Sequence, residues 1–147
     1  MKNRVFNWDF PDPFLLDKVV AESDMDELNH TNNIVYVSWC QEVAWAHSEK
    51  LGLGIDTYQA LDRAMAVTRS EFQYLKSSRA GDQIKIATWL ISWDKKLSMT
   101  RKFQVIREDG ITLLRGSMIF ACIEISSGKP RRLPSEFIEA YGSAVIN

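Results

Sequence analysis

Residues 35–46 form a run in which nearly every position is apolar, with Glu42 as the only carboxylate. A helix that is apolar on all sides must be covered on all sides, either by other protein or by lipid. About 18 residues would just cross a bilayer, but five polar side chains interrupt the segment: Gln41, Glu42, His47, Glu49 and Lys50. We therefore predict one long helix buried in the core of a globular domain.

Signals at both ends define this helix. Asn32 or Asn33 is placed to cap its N-terminus, and Gly52 and Gly54 are placed to end it. Residues 55–62 then predict a short turn of helix that leads onward. The long helix accordingly follows a polar loop and precedes the strand-rich half of the chain.

Strand-like runs occupy most of the remaining sequence. Residues 14–22 are rich in β-branched side chains and predict a first strand. Four longer runs, separated by turn signals, cover residues 64–76, 83–93, 97–108 and 111–125. Asp109-Gly110 lies between two of them and is a strong hairpin signal. The pattern predicts the α+β class, with an antiparallel sheet wrapped around one long buried helix.

These predicted strands also suggest an assembly. They are roughly 11–15 residues long, against a usual length of about five or six, and several carry apolar residues on both faces. One face would cover the helix, and a second subunit is the simplest cover for the other. We expect a homodimer or a dimer of dimers.

Length and composition indicate one domain spanning residues 1–147. A chain of 147 residues, 46% of them apolar, suffices for one core. Residues 1–13 are aromatic and rich in proline and predict an extended arm on the surface, whereas residues 134–142 predict a short C-terminal helix.

Charge and cysteine content exclude several classes of function. The formal net charge of -1 gives no reason to expect binding to nucleic acid, and the interrupted helix gives none to expect membrane insertion. Cys40 and Cys122 both lie in apolar segments, which indicates buried thiols in a reducing compartment and no metal site. The N-terminus lacks the apolar region of a signal peptide. We expect a cytoplasmic protein without metal or cofactor.

The loop before the helix is crowded with groups capable of proton chemistry: Asp24, Asp26, Asn29, His30, Asn32 and Asn33. Any of the aspartates could serve only as a turn or capping residue, as Asp in a polar loop often does, and we interpret Asp24 that way. A histidine and two asparagines close behind Asp26 favour a functional site instead.

The arrangement Asp24-x-Asp26, His30-x-Asn32-Asn33 and Tyr36, opening a long hydrophobic helix, resembles the hotdog-fold acyl-CoA thioesterases of the 4-hydroxybenzoyl-CoA thioesterase type. The Arg79-Ala-Gly81-Asp82 turn is also similar to that family, and the likeness covers residues 14–125. The family usually has Gly immediately before the histidine, where this chain has Asn29. Asn tolerates left-handed backbone better than most residues, so the turn is compatible with it.

The resemblance implies a catalytic set. Thioester hydrolysis needs a nucleophile, or a base for water, and donors for the oxyanion that develops on the carbonyl. Asp26 is implied as the nucleophile or general base, and the N–H of Asn33, at the positive end of the helix dipole, as the oxyanion donor. His30 would orient Asp26 or contact the carbonyl region.

Substrate contacts are expected elsewhere on the chain. Near the loop and in the core, the candidates are Asn32, Tyr36, Trp39, Val43 and Met65, although the apolar ones equally suit plain core packing. Arg131 and Arg132, with the weaker candidates Lys76, Arg79 and Lys129, are expected to contact the phosphates of coenzyme A. His47 lies about 20 Å along the helix from Asn33, so we interpret it as structural, and we interpret Cys40 as core.

The expected function is hydrolysis of an acyl-CoA to free acid and CoA. Two alternatives stay open: a thioesterase acting on acyl groups held by a carrier protein, and a non-catalytic hotdog protein that binds acyl ligands. The related dehydratases use motifs such as D-x-N-P-x-H, which this chain lacks. The sequence does not identify the acyl group.

Overall fold

The computed structural model describes residues 6–146, and residues 1–5 and 147 lie outside it. Its elements, in chain order, are β1 (Phe14–Val19), α1 (Asn33–Lys50), α2 (Ile55–Leu61), β2 (Arg63–Tyr74), β3 (Gln83–Trp93), β4 (Ser98–Arg107), β5 (Thr112–Glu124) and α3 (Ser135–Ala144). The strands form one antiparallel sheet in the order β1-β3-β4-β5-β2. The predicted α+β class is confirmed.

The first strand is shorter than predicted. It pairs with β3 from Phe14 opposite Thr88 to Val19 opposite Gln83, and does not continue to Glu22. The chain turns away because Glu22–Asp24 form a 3-10 turn, closed by the Ala21 N–H donating to Asp24 Oδ2 at 2.9 Å. The extra residues of the predicted strand therefore lead into the polar loop.

The long helix begins and ends where the sequence signals indicated. The Ile34 N–H donates to Asn32 Oδ1 at 3.1 Å, which makes Asn32 the capping side chain. Beyond Lys50, Gly52 adopts the left-handed conformation with φ 87°. The next helix, α2, matches the short helical turn predicted for residues 55–62.

The prediction that this helix is covered on all sides is wrong for the chain by itself. Trp39, Cys40 and Val43 are buried, but Ile34 is 75% exposed and Trp45 is 41% exposed. The physical reason is that a single sheet covers only one side of a helix. The apolar residues on the other side of α1 have no cover within the described residues.

The chain's contacts form two compact units. The first comprises Met1–Ala44, Phe72–Thr88 and Phe103–Gly116, and the second Trp45–Glu71, Trp89–Lys102 and Ser117–Asn147. The single domain proposed for residues 1–147 remains a prediction.

In the first unit, part of the predicted arm packs on the strands. Gln104, which is fully buried, accepts a hydrogen bond from the Asp9 N–H at 2.9 Å. The Asp9 carboxylate also accepts two hydrogen bonds from the Arg115 guanidinium, at 2.7 and 3.0 Å. Asp9 is thus tied to Gln104 and Arg115, while the arm over residues 1–13 remains a prediction and its first five residues lie outside the described chain.

The core of the second unit combines aromatic rings with buried polar groups. Phe137 and Tyr141 are the buried residues of α3, which extends slightly beyond the predicted 134–142. The Tyr141 hydroxyl lies 2.9 Å from Ser48 Oγ. Arg101, only 1% exposed, has its guanidinium 2.9 Å from Nδ1 of His47. His47 is therefore half-buried and in contact with a buried arginine, which agrees with the structural role expected for it.

Candidate active site

Asp26 is held by the backbone of its own loop. Its Oδ1 accepts hydrogen bonds from the N–H groups of Leu28, at 2.8 Å, and His30, at 3.1 Å. Its N–H donates to the His30 carbonyl at 2.8 Å, and its carbonyl accepts from the Asn29 N–H at 3.1 Å. The side chain is exposed, and Oδ2 has no hydrogen-bond donor among the described residues. The loop thus fixes one carboxylate oxygen and leaves the other accessible.

Asn29 stands where the resembling family usually has Gly, and its backbone conformation explains that preference. Its φ is 60°, in the left-handed region. A β-branched side chain would be strained there, whereas Asn tolerates it. The turn between Asp26 and His30 is therefore formed despite the departure from the family pattern.

The amide of Asn33, the first residue of α1, differs from its neighbours in having no acceptor among the described residues. The Asn32 N–H donates to the Asp24 carbonyl at 2.9 Å, and the Val35 N–H to the Asn32 carbonyl, also at 2.9 Å. The Ile34 N–H is satisfied by the Asn32 side chain. Within residues 6–146, the Asn33 N–H has no acceptor, and Asn33 is exposed. A donor at the positive end of the helix dipole is thus open to a ligand.

Asp24 and His30 frame this arrangement. Asp24 holds the loop through its side chain and its carbonyl, which agrees with a structural role. His30 is half-buried and pairs with Asp26 through both backbone groups. Its imidazole has no hydrogen-bond partner in the described part of the chain.

A surface depression of about 590 Å³ lies beside the loop. It is lined by Met25, Asp26, Glu27, Leu28 and Asn32. The depression therefore brings Asp26 together with the helix cap, and Leu28, which is 78% exposed, adds an apolar side chain.

Three of the predicted contact residues are buried instead. Trp39 and Val43 belong to the core, and Tyr36 is 3% exposed, with its hydroxyl 2.7 Å from Ser78 Oγ. None of the three lines the depression.

Of the other predicted contacts, Met65, Arg131 and Arg132 lie in the second unit, whereas Asn32, Lys76 and Arg79 lie in the first. Met65 is half-buried, while Arg131 and Arg132 are exposed. Arg131 lies 3.4 Å from Glu124, and Arg132 has no carboxylate partner among the described residues. Arg132 is therefore the freer of the two arginines.

Sequence reasoning missed two buried residues that connect the Asp26 loop to a distant part of the chain. Thr31 and Ser78 contact each other through their hydroxyls at 2.7 Å, and both are buried. The position of Thr31, inside the His30-to-Asn33 motif, was the available signal. Ser78 carried none, because it is distant in the sequence.

Neither a metal site nor a membrane span emerges from residues 6–146. No group of His, Cys, Asp and Glu side chains there is arranged to hold a metal ion. None of the helices described is both long and apolar enough to cross a membrane.

Comparison with known proteins identifies relatives. A model of the thioesterase-like superfamily matches residues 20–141. Protein THEM6 of Danio rerio is 28% identical over 111 residues, which are 75% of this chain and 52% of THEM6. The chain thus spans about half the length of this curated relative.

Solved structures share the fold. SAV2348 of Staphylococcus aureus, a hypothetical protein in complex with CoA, superposes with a TM-score of 0.84 and 17% identity, over 96% of this chain and 90% of that chain. Slr0204 of Synechocystis, a 1,4-dihydroxy-2-naphthoyl-CoA thioesterase, superposes with a TM-score of 0.80 and 15% identity, over 89% and 96% of the two chains. The predicted hotdog fold is confirmed.

Proposed function

Because the chain belongs to the thioesterase-like superfamily, we propose that it hydrolyses the thioester of an acyl-CoA to a free acid and CoA. The observation that carries this proposal is the open N–H of Asn33 at the start of α1, in the same loop-and-helix segment as a fixed carboxylate at Asp26. A carboxylate and an oxyanion donor are the two groups that thioester hydrolysis requires.

Asp26 acts in one of two ways. In the first, Oδ2 attacks the carbonyl carbon, the C–S bond breaks, CoA leaves as its thiolate, and water then hydrolyses the acyl–aspartyl anhydride. In the second, Asp26 takes a proton from a water molecule that attacks the same carbon. In both, negative charge develops on the carbonyl oxygen, and the Asn33 N–H donates to it. His30 orients the carboxylate or contacts the carbonyl region.

We assign the substrate contacts among the predicted residues according to whether their side chains are exposed. Asn32 lines the depression with Asp26 and is proposed to contact the thioester region. We propose that Arg132 and Arg131 bind the phosphates of CoA. For Arg131, the phosphates would compete with its contact to Glu124. We assign Tyr36, Trp39 and Val43 to support of the site, because their side chains are buried. Met65 is retained as a candidate contact for the acyl group.

We also propose that two copies assemble through β2. This strand is at one edge of the sheet and exposes Val67, at 43%, and Tyr74, at 44%. A long, exposed edge strand is a template for pairing with another strand. Antiparallel pairing about a two-fold axis at Ser70 would place Arg69 of each copy opposite Glu71 of the other.

The test of the enzymatic proposal is thiol release from a panel of short, medium, long and aromatic acyl-CoAs. Asp26→Asn is expected to lower kcat about 10²-fold or more, the effect of losing a principal catalytic group. Asp24→Asn is the matched control, since it removes a charge from the same loop at a residue assigned to structure.

Three results would contradict parts of this proposal. Equal activity of wild type and Asp26→Asn would place the catalytic group elsewhere. Thiol release only from acyl groups on a carrier protein would mean that the substrate is an acylated carrier protein and not an acyl-CoA. If the protein binds acyl-CoA without cleaving it, the chain is a ligand-binding protein and not an enzyme.

A further inference from the structure

We propose that Ser78 is a positioning residue for the active site, acting through a chain of three buried hydroxyls. The inference rests on the proposed function and names the part of the first unit that holds the catalytic loop in place. Ser78 lies in the connection between β2 and β3 and is fully buried. Thr31 and Tyr36, 4% and 3% exposed, complete the chain.

The hydrogen-bond geometry assigns a direction to the chain. Ser78 Oγ lies 2.7 Å from Thr31 Oγ1 and 2.7 Å from the Tyr36 hydroxyl, and Thr31 Oγ1 donates to the Ser78 carbonyl at 3.1 Å. Each hydroxyl has one proton. With the Thr31 proton on the Ser78 carbonyl, Ser78 donates to Thr31, and Tyr36 donates to Ser78. Every proton then has an acceptor, and Ser78 Oγ both donates and accepts.

The two ends of the chain lie close in sequence to the two proposed catalytic groups, Asp26 and Asn33. Thr31 stands between His30 and Asn32, and it forms a bridge with Met25, the neighbour of Asp26. Tyr36 lies in the first turn of α1, which begins with Asn33. Ser78 therefore links the segment that carries the carboxylate to the helix start that carries the oxyanion donor.

Ser78 is itself anchored on both sides. The carbonyl of the preceding Ser77 accepts a hydrogen bond from the Arg107 guanidinium at 2.8 Å. The N–H of the following Arg79 donates to Asp82 Oδ2 at 2.9 Å, and the Ser78 carbonyl also accepts from the Thr31 N–H at 2.9 Å. An anchored residue with a fully used hydroxyl sets the position of what it binds.

The consequence for catalysis is geometric. Without the Ser78 hydroxyl, the Tyr36 proton loses its acceptor and Thr31 Oγ1 loses its donor, so the loop loses its side-chain link to α1. A misplacement of about 1 Å in a catalytic group costs up to roughly 10²-fold in rate. We expect Ser78→Ala to lower kcat about tenfold or more, with KM changed less than about twofold, since Ser78 does not contact the substrate.

Ser48→Ala is the matched control. Ser48 is also a buried serine, 5% exposed, whose hydroxyl contacts a buried tyrosine hydroxyl, that of Tyr141 at 2.9 Å. It belongs to the second unit and has no part in the proposed site. Ser48→Ala is therefore expected to lower the melting temperature to a similar degree while leaving kcat unchanged.

Hydrogen exchange supplies a readout that does not depend on activity. The N–H groups of Leu28 and His30 donate to Asp26 Oδ1, so their exchange rates report how firmly the carboxylate is held. We expect faster exchange at both amides in Ser78→Ala and unchanged exchange in Ser48→Ala. Tyr36→Phe, which keeps the contact between Ser78 and Thr31, should show a smaller change in the same direction and serves if Ser78→Ala does not fold.

The outcomes separate this inference from the proposed function. If wild type is active, an unchanged kcat in Ser78→Ala, or an equal loss in Ser48→Ala, overturns the positioning role. If wild type releases no thiol from any acyl-CoA, the proposed function fails, and exchange alone decides: faster exchange at Leu28 and His30 supports positioning of the loop by Ser78, and unchanged exchange refutes it.

Discussion

Protonation of His47 is expected to destabilise the folded protein as the pH falls. Burial, then the positive charge of Arg101 and that of Lys50, lower the pKa of His47 from 6.5 to about 4. The contact between Arg101 and Nδ1 of His47, at 2.9 Å, requires an unprotonated ring nitrogen, because a guanidinium only donates. Protonation of His47 would replace that hydrogen bond by repulsion between two cations.

The sign and size follow from linkage. Between pH 6.5 and 4, the unfolded chain binds a proton on His47 that the folded chain does not, so stability falls as the pH is lowered through this range and levels off below it. Each pKa unit corresponds to about 1.4 kcal/mol. Because His47 is only partly buried and solvent screens part of the effect, we expect a loss of about 1–2 kcal/mol.

The assay is urea unfolding of wild type and His47→Gln at several pH values between 7 and 4.5. Gln offers an acceptor to Arg101 and does not titrate. The difference in the free energy of unfolding between the two proteins therefore reports the protonation of His47 alone, because carboxylates that bind protons in the same pH range contribute equally to both. The free energy of unfolding of wild type should fall more steeply than that of His47→Gln. Parallel curves, or an NMR titration of His47 centred near pH 6.5, would refute the reasoning.

Two further predictions concern the loop and the sheet edge. Asn29→Gly should fold as well as wild type, whereas Asn29→Val should lose about 1–2 kcal/mol in chemical unfolding, because a β-branched residue at φ 60° is strained; equal stability of the two variants would contradict this. Ser70→Pro should convert the proposed dimer to monomer in sedimentation experiments, because proline in an edge strand removes a donor from the pairing ladder. Thr57→Pro, in the first turn of α2, is a control that leaves the β2 edge intact, and loss of the dimer in both variants would contradict pairing through β2.

Local patterns in the sequence determined most of the elements and the loop that carries Asp26. The four long strands and α1 lie close to the predicted positions, because alternation of apolar residues and turn chemistry act over a few neighbours. The loop is local in the same sense, since the bonds from Leu28 and His30 to Asp26 span two and four residues. A motif of this kind can be recognised before the fold is known.

Only the tertiary structure decided what lies against each element. The contact between Thr31 and Ser78 joins residues 47 positions apart, and that between Tyr36 and Ser78 joins residues 42 apart. The exposure of Ile34 likewise depends on a sheet that covers one side of α1. Which distant segments meet depends on strand order and core packing rather than on local preference. The sequence therefore indicated the candidate groups for the chemistry, and the fold determined what holds them.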